Sequence, residues 1–585
     1  MASLSPSTAN GIVNANATLS SLHYSPFLAK TFHISTTKKR NNIHHFKVSC
    51  KNSEQHQNAS RRNMLIGLGG LYGAANLAAD PFAFAAPIAG PDISKCGPAD
   101  LPSGATPTNC CPPPAASIVD FKLPSPSNTL RVRPATQLVD NAYLAKFNKA
   151  VQLMKALPDT DPRSFKQQAN VHCAYCDGAY DQLGFPNLEL QVHASWLFLP
   201  FHRCYLYFYE RILGKLIGDP NFAMPFWNWD AQGGMHLPDI YADSTSPLYD
   251  TLRDAKHQPP TMIDLDYNGV DSNISDSQQL SQNLTIMYRQ IVSNARTPQL
   301  FFGNPYRAGD EPDPGPGSLE NIPHGPVHVW TGDRTQPNFE DMGNFYSAAR
   351  DPIFYAHHSN IDRMWGIWKT IGGRRQDITD TDWLNASFLF YDENAQMVRI
   401  RVRDVLDTTK LGYTYQAVEV PWLNSRPTPR IAKVARKIKK LVAANAADHG
   451  HSGNGIFPAK LDKIVKVMVK RPNKKRSKKE KDEKEEILVI EKIEVDRDTF
   501  AKFDVYINDE DQPKSTPENT EFAGSFVNVP HKHKHGKKIK THLNLSLTEI
   551  LEDLNAEDDE HVLVTLVPRV GCDAVTIGGI KIILD

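Results

Sequence analysis

The sequence predicts a mainly α-helical, loop-rich core followed by a β-sandwich domain at the C-terminal end. Histidines in aromatic-rich segments predict the core, because most of those segments space their apolar residues as a buried helix does. From Lys463 onward, β-branched residues alternate with polar residues, which predicts the strands of the sandwich. A chain of 585 residues is long enough for several such units.

Residues 1–85 are predicted to be a targeting leader. Glu54 is the first acidic residue, and the sequence before it is rich in Ser, Thr, Asn, Lys and Arg, as in a transit peptide. Arg61-Arg62 and a weakly apolar stretch then precede a small-residue cleavage site at 83–85. This order predicts delivery to the chloroplast thylakoid lumen. The alternative is a disordered tail with a chance arginine pair, and the apolar stretch is too short to span a membrane.

Cysteines indicate where the start of the mature chain is cross-linked. Four of the eight lie in or beside a proline-rich segment, where disulfides would stabilise a region with little secondary structure. The sequence alone allows three pairings of these four residues. Cys204 and Cys572 are predicted to be buried thiols. The four residues in question are Cys96, Cys110, Cys111 and Cys173.

Six histidines fall in two groups of three that are far apart in the sequence. A neutral imidazole binds copper, zinc, iron or nickel through a ring nitrogen. Two groups of three can therefore hold two metal ions and leave positions open for a small molecule. A single histidine on an apolar helix face is more often an ordinary core residue, but that explanation does not account for six. The first group is His172, His193 and His202, and the second is His324, His328 and His358.

The second group has helical spacing. His324 and His328 are four residues apart, so they stack on one face of a helix that follows Pro323. His358 is the second residue of a predicted helix over 357–371, whose tryptophans continue an apolar face.

The first group also lies in apolar segments. His202 belongs to a helix predicted to begin at Pro200, and His193 to a helical segment over 188–199. Helices that present histidines inward predict a four-helix bundle around a metal site. No HExxH pattern is present, which disfavours a zinc hydrolase.

These motifs resemble those of plant polyphenol oxidases, the catechol oxidase and tyrosinase branch of the type 3 copper proteins. The resemblance continues through Asp382-Trp383-Leu384, Tyr413-Thr414-Tyr415 and the sequence KFDV at 502–505, so it covers nearly the whole chain. The segments that carry it most strongly are HCAYC (172–176), LPFHR (199–203), PHGPVH (323–328) and DPIFYAHHSNIDRMW (351–365).

The resemblance implies two copper ions as cofactors. The first would be bound by His172, His193 and His202, and the second by His324, His328 and His358. His357 and Asp362 would fix the orientation of the ligand rings through hydrogen bonds. The resemblance also implies disulfides Cys96–Cys111 and Cys110–Cys173, and a thioether bond between Cys176 and His193.

Three further positions follow from the same resemblance. Phe345 matches a bulky gate beside the first copper, although it is also explained as a core aromatic residue. Glu320 matches an acid that holds a water near the second copper. Gly325 departs from the asparagine that the family associates with deprotonation of monophenols.

The implied activity is oxidation of o-diphenols to o-quinones with reduction of dioxygen to water. The alternatives are a tyrosinase that also hydroxylates monophenols and a dioxygen-binding protein without catalysis. The expected partners are a small phenol and dioxygen. A formal net charge of zero gives no indication of a nucleic-acid or membrane partner. The sequence does not give the oligomeric state.

The predicted domain order is a leader, a catalytic domain, a linker and a shielding domain. The catalytic domain covers 86–423, including the DWL region from about residue 380. The linker, 424–455, is rich in Lys, Arg, Gly and small residues and should be protease-sensitive. The β domain, 456–585, should cover the active site until it is displaced, or alternatively only aid folding. Within it, a charged hairpin loop is predicted over 470–486 and a solvated patch over 531–535.

Overall fold

The computed structural model describes residues 86–126, 129–430, 456–509, 515–532 and 538–585. The predicted leader and most of the predicted linker lie outside these ranges. The described α-helices, α1 to α12, are Asn141–Lys155, Phe165–Cys176, Phe198–Leu216, Asp239–Ala242, Asp276–Tyr288, Pro298–Phe302, Gly325–Thr331, Phe345–Ala348, Ile353–Thr370, Thr381–Asn385, Lys478–Glu483 and Thr548–Asp553.

Strands are short in the N-terminal part and long in the C-terminal part. The described strands, β1 to β16, are Ile118–Asp120, Arg131–Arg133, Asp181–Gln182, Phe185–Glu189, Ser387–Tyr391, Met397–Arg401, Tyr413–Tyr415, Ala459–Lys460, Val465–Lys470, Glu486–Asp496, Ala501–Ile507, Phe522–Asn528, Lys538–Ser546, His561–Val570, Thr576–Ile577 and Gly579–Leu584. The predicted order of a helical core followed by a β domain is therefore confirmed.

Helices α2, α3, α7 and α9 form the part of the core that carries histidines. The Ser164 side chain accepts a hydrogen bond from Gln167 N and so caps α2 at its first turn. Helix α3 is buried along almost its whole length, as its apolar sequence predicts. Helix α9 begins four residues earlier than predicted, at Ile353.

The prediction of a helix around His193 is wrong. Strand β4 ends at Glu189, and an irregular loop leads from there to Leu197, the N-cap of α3. Within this loop the Gln191 side-chain oxygen accepts hydrogen bonds from the backbone N–H groups of Val192 and His193. A side chain that bonds to nearby backbone groups competes with helix formation. The apolar residues are buried by the loop rather than by a helix face.

A buried ionic cluster joins the two main histidine-bearing helices. Arg203 of α3 donates through Nε to Asp362 Oδ1 of α9. The other carboxylate oxygen, Asp362 Oδ2, accepts from the hydroxyls of Tyr413, at 2.7 Å, and Tyr415, at 2.5 Å. Arg133 is also within 3.4 Å of Asp362 Oδ2. Asp362 therefore fixes α3 relative to α9. Among the described residues it forms no hydrogen bond to a predicted ligand ring, although that bond was expected of it.

Two sheets form the C-terminal domain. One has the order β13-β10-β15-β8, with β16 also pairing with β10, and the other has the order β12-β11-β14-β9. A single apolar cluster includes residues of both, such as Leu488 and Phe503. The strands predicted from the alternating pattern, over 463–470, 487–495, 502–507, 561–568 and 575–585, are all present, but β8, β12 and β13 were not predicted. Strand β12 is buried on both faces and contains a glycine, so it shows no alternation.

The charged insertion at 470–486 does not form the predicted hairpin. Strand β9 pairs with β14, whereas β10 pairs with β13 and β16, so the insertion crosses from one sheet to the other. Arg471 is buried, and its guanidinium binds both carboxylate oxygens of Glu486, at 2.7 and 3.0 Å. The insertion is therefore partly a buried connection rather than a solvated loop.

Side-chain amides of the helical core bind strands of the C-terminal domain. Asn294 donates to Ala523 O at 2.8 Å and accepts from Ser546 N at 3.1 Å. Asn321 bonds in the same way to two backbone groups of β12, with Val527 N at 3.0 Å from its oxygen. Each amide thus replaces the backbone partner that an additional strand would offer.

Within the described ranges, none of the helices has the length and hydrophobicity needed to cross a bilayer.

We expect Asp362→Ala to lower the free energy of unfolding by about 3–5 kcal/mol, because it leaves buried guanidinium groups without their carboxylate. Denaturant titration of the metal-free protein, followed by tryptophan fluorescence, measures this change. Asp120→Ala is the matched control, since the Asp120 side chain is 57% exposed and lies 3.4 Å from an exposed Arg399. Equal losses for the two variants would contradict this role of Asp362.

Candidate metal centre

Tertiary folding brings all six predicted histidines together. In the first group the ring centroids of His172, His193 and His202 lie 5.1 to 5.7 Å apart. The second group is equally compact, with centroid distances of 4.6 to 5.4 Å. The groups adjoin each other, because the ring of His202 stacks on that of His358 at 4.1 Å.

Backbone carbonyls determine which ring nitrogen carries the proton. Because a carbonyl only accepts, Nδ1 must donate from His172 to Phe345 O at 2.7 Å and from His328 to Met342 O at 2.7 Å. His202 and His324 donate in the same way to carbonyls four residues earlier, at 2.8 and 3.0 Å. In each neutral ring the lone pair is therefore on Nε2, the position left for a metal.

His193 is oriented by a side chain instead. Its Nδ1 lies 3.2 Å from the Gln191 oxygen, and the Gln191 amide nitrogen donates to Cys176 O at 3.1 Å. Gln191 thus links the His193 loop to the end of α2. Sequence reasoning did not identify this residue, and no motif marks it.

The Nε2 atoms have the environment of metal ligands. Those of His172, His193, His202 and His324 are buried and have no hydrogen-bond partner among the described residues. The Nε2 atoms of His328 and His358 are 3.3 Å apart; because His328 donates through Nδ1, its Nε2 can only accept in this contact, and His358 Nδ1 has no hydrogen-bond partner among the described residues. Buried nitrogens without partners are unfavourable unless a ligand satisfies them, so the donor set fits two metal ions.

The hydrogen bonds of the structure show that His358 and its neighbour His357 cannot have the same role. Both are buried, and nitrogens of His324, His328, His357 and His358 all lie within 4.8 Å of one another. The indole of Trp229, however, donates to His357 Nδ1 at 3.1 Å. The proton of a neutral His357 ring must then be on Nε2, which removes that nitrogen as a ligand. His357 packs against the rings of His324, His328 and His358. Among the described residues it forms no hydrogen bond to a predicted ligand ring, although such a bond was expected.

Burial keeps the imidazoles neutral. It lowers the pKa of His172 to about 3 and that of His328 to about 4, and it lowers the pKa of the other four histidines well below the usual value. A histidine binds a metal only in its deprotonated form. All six are therefore ready to bind at neutral pH without first losing a proton.

Cys176 lies beside the first group. Its sulfur and one ring nitrogen from each of His172 and His193 are within 4.8 Å of one another. Burial raises the pKa of the Cys176 thiol well above its usual value, so the sulfur is not an anionic ligand in this environment. The disulfides of the structure are Cys96–Cys111 and Cys110–Cys173, the pairs that the resemblance implies.

Phe345 lies between the first histidine group and the C-terminal domain. Its ring stacks on His193 with centroids 4.1 Å apart, and its other face stacks on His531 at 4.9 Å. His531 is buried, so this part of the predicted solvated patch is wrong; 533–537 lie outside the described residues. The backbone of Phe345 also accepts from His172 and donates to Pro530 O at 3.4 Å.

Glu320 and Gly325 flank His324. Burial raises the pKa of the Glu320 carboxyl well above its usual value, and Ala194 N donates to Glu320 Oε1 at 2.5 Å. A Cβ atom on Gly325 would lie 3.1 Å from Val527 Cγ1 and 3.3 Å from Val529 Cγ2, both in the C-terminal domain. The lack of a side chain at 325 therefore permits close contact with that domain.

A narrow, partly enclosed cavity adjoins the histidines. Residues of the helical core, such as His193, His324 and Phe345, line one side of the cavity. Residues of the C-terminal domain, from β12 to β13, line the other side. Water can enter about 50 Å³ of this space, enough for a few water molecules but not for a phenol ring. The C-terminal domain thus covers the metal centre.

Comparisons with known proteins agree with this arrangement. Residues 162–371 match the common central domain of tyrosinase, 377–428 the polyphenol oxidase middle domain, and 457–584 the chloroplastic polyphenol oxidase C-terminal domain. The chain is 63% identical to a chloroplastic polyphenol oxidase of Malus domestica over 95% of this chain and 96% of that protein. The chain belongs to the polyphenol oxidase family. Members of this family are oxidoreductases with a type 3 dicopper centre.

Two further relatives extend the comparison. The chain is 57% identical to aureusidin synthase of Antirrhinum majus, over 94% of this chain and all of that protein. It superimposes on the structure of latent apple tyrosinase with a TM-score of 0.76 and 64% identity, covering 80% of this chain and all of that one. Polyphenol oxidases of different named activities thus share this fold.

We expect His328→Ala to lose copper, because it removes one of three nitrogens from the second group and leaves a space that water fills. Metal analysis of the purified protein should give two copper ions per chain for the parent and fewer for the variant. His561→Ala in β14, far from the centre in sequence and only partly buried, is the control. Two copper ions retained by His328→Ala would refute the ligand assignment.

Proposed function

We propose that the chain oxidises o-diphenols to o-quinones and reduces dioxygen to water. The observation that supports this most is the pair of adjoining, buried, neutral three-histidine groups, in which four Nε2 atoms have no hydrogen-bond partner among the described residues. Two copper ions bound there, by histidines on or next to α2, α3, α7 and α9 of a four-helix bundle and by His193 of the loop before α3, would supply paired electron transfer. Two catechols provide the four electrons and four protons that convert one dioxygen to two waters.

The protein's own residues would position the phenol and exclude water. The Phe345 ring, stacked on His193, offers an aromatic face beside the first histidine group. The cavity is lined mostly by apolar and uncharged groups, which keeps bulk water away from a reactive quinone. Phe345 would therefore act as the predicted gate, and a thioether between Cys176 and His193 would fix the adjacent ligand further.

Glu320 and Gly325 favour catechol oxidation over hydroxylation of monophenols. Burial raises the pKa of Glu320, which disfavours the ionised carboxylate that a general base needs. Gly325 has no side-chain amide to orient a water beside it. The second candidate is a tyrosinase, which the likeness to latent apple tyrosinase favours. Relative rates on tyrosine and 4-methylcatechol distinguish the two.

We also propose that the chain is latent, with a catalytic domain at 86–423, a protease-sensitive linker at 424–455 and a shielding domain at 456–585. The narrow cavity, which is lined on one side by the C-terminal domain, supports this proposal. The first linker residues are already bound to the shielding domain, since Arg430 N donates to the Glu521 carboxylate and Arg426 forms an ion pair with Asp553 at 2.7 Å. Cleavage is therefore expected after Arg430.

The proposed location is the chloroplast thylakoid lumen. The acid-poor start of the sequence and Arg61-Arg62 support it, and the Malus domestica relative is named as chloroplastic. Import of a fluorescently tagged chain into isolated chloroplasts, with and without Arg61-Arg62 changed to Lys-Lys, tests both steps. A protein that stays in the stroma with its arginines intact would contradict the lumen.

We expect trypsin or mild SDS to raise the catechol oxidation rate of residues 86–585 severalfold or more, because either treatment displaces a tethered cover. A chain ending near Arg430 should show the high rate without treatment. Oxygen uptake with 4-methylcatechol, at matched copper content, measures both. Equal rates for the longer and shorter chains would remove the shielding role.

We expect Gly325→Asn to have two separate effects. In the uncleaved chain it should raise the basal catechol rate, because its side chain collides with Val527 and Val529 of the cover. In the trypsin-activated chain it should raise tyrosine hydroxylation relative to 4-methylcatechol oxidation, because the amide can orient a water near Glu320. Gly325→Ala is the control for size alone. No change in either rate for Gly325→Asn would contradict both arguments.

A further inference from the structure

Asp313 is a second carboxylate in the wall of the cavity. Its side chain is buried and lines the same space as His193, His324 and Glu320. The loop that carries it is fixed on both sides, because Gly315 N donates to Ala194 O at 2.8 Å and the Asn304 amide donates to Pro314 O at 2.8 Å. Asp313 is thus held in place independently of the C-terminal domain.

An arginine of the shielding domain is the cation that faces Asp313. Arg497 Nη2 lies 3.3 Å from Asp313 Oδ2, and Nη1 lies 4.0 Å from Glu189 Oε2. The geometry is not that of a directed hydrogen bond, since Asp313 Oδ2 and the Nε and Nη1 atoms of Arg497 have no hydrogen-bond partner among the described residues. Charge rather than a specific bonding pattern therefore holds the guanidinium there.

Displacement of the shielding domain removes this cation. The described residues that line the cavity include no lysine or arginine, and their only carboxyls are those of Asp313 and Glu320. Of these two, Asp313 is the carboxylate that the guanidinium of Arg497 faces. A cationic group on the substrate can then take the position that Arg497 leaves.

We propose that Asp313 binds the ammonium group of phenols that carry a protonated amine side chain. The activated chain would then prefer such phenols to neutral catechols and would disfavour catechols that carry a carboxylate. This inference rests on the proposed oxidation of o-diphenols at the adjacent centre. Arg497 occupies the position that we propose for the ammonium group, because its cationic group reaches the Asp313 carboxylate through an apolar stem.

Charge-matched substrates test the proposal. The full chain, loaded with copper and activated by trypsin, is assayed with dopamine, 4-methylcatechol and 3-(3,4-dihydroxyphenyl)propionic acid. We expect Asp313→Asn to lower kcat/KM for dopamine about fivefold, to raise it for the acid, and to leave 4-methylcatechol unchanged. Asparagine suits the positive φ of 63° at this position. Glu311→Gln, an exposed neighbour, is the matched control.

A binding measurement gives a readout that does not depend on copper. Calorimetric titration of the trypsin-cleaved, metal-free chain with phenethylamine, which has no phenol to oxidise, should show a Kd that Asp313→Asn raises about fivefold. Raising the salt concentration should weaken the same binding in the parent, because salt screens the charges. The salt dependence is measured in the parent chain, so it does not depend on whether a variant folds.

The possible results separate the two proposals. Failure to oxidise 4-methylcatechol would refute the proposed activity, while phenethylamine binding would still report on Asp313. Normal 4-methylcatechol oxidation with equal dopamine preference in the parent and in Asp313→Asn would overturn the inference. Faster activation of Asp313→Asn without a change in that preference would also overturn it, because Asp313 would then only hold Arg497.

Discussion

Six buried imidazoles must each keep one proton and still present a bare nitrogen to the same small space. Burial alone makes the rings neutral, but it does not choose the tautomer. Carbonyls of Phe345, Met342, Phe198 and Glu320 make that choice for four of the rings, and Gln191 does so for a fifth, that of His193. A displaced carbonyl would leave Nδ1 without its acceptor and would allow the tautomer that carries the proton on Nε2.

The shielding domain is attached to the same parts that hold the metal centre. Phe345 contacts a ligand ring on one face and His531 on the other, and its backbone is bonded both to His172 and to Pro530. The apolar cluster of the helical core also includes Val527 and Val529 of the C-terminal domain. Cover and core are therefore one continuous packed interior, which is the contact that the proposed shielding role requires of a tethered domain.

Residues at the mouth of the cavity must suit two different environments. Gly325 and Asp313 face Val527 and Arg497 when the domain is in place, and they would face a phenol once it has moved. A change at either position is therefore expected to alter both closure and substrate choice. This double constraint distinguishes them from the ligands, whose surroundings remain protein on nearly every side.

The sequence by itself determined the six histidines, the helical core and most C-terminal strands, because helical spacing, apolar runs and β-branched alternation are local patterns. It did not determine the loop conformation of His193, the crossing of the 470–486 insertion between sheets, or the burial of His531. Those depend on contacts between residues far apart in the chain, such as Gln191 with Cys176 and β10 with β13. Only the tertiary structure decided that Trp229 keeps His357 from acting as a ligand, since a proton's position depends on its partner in space.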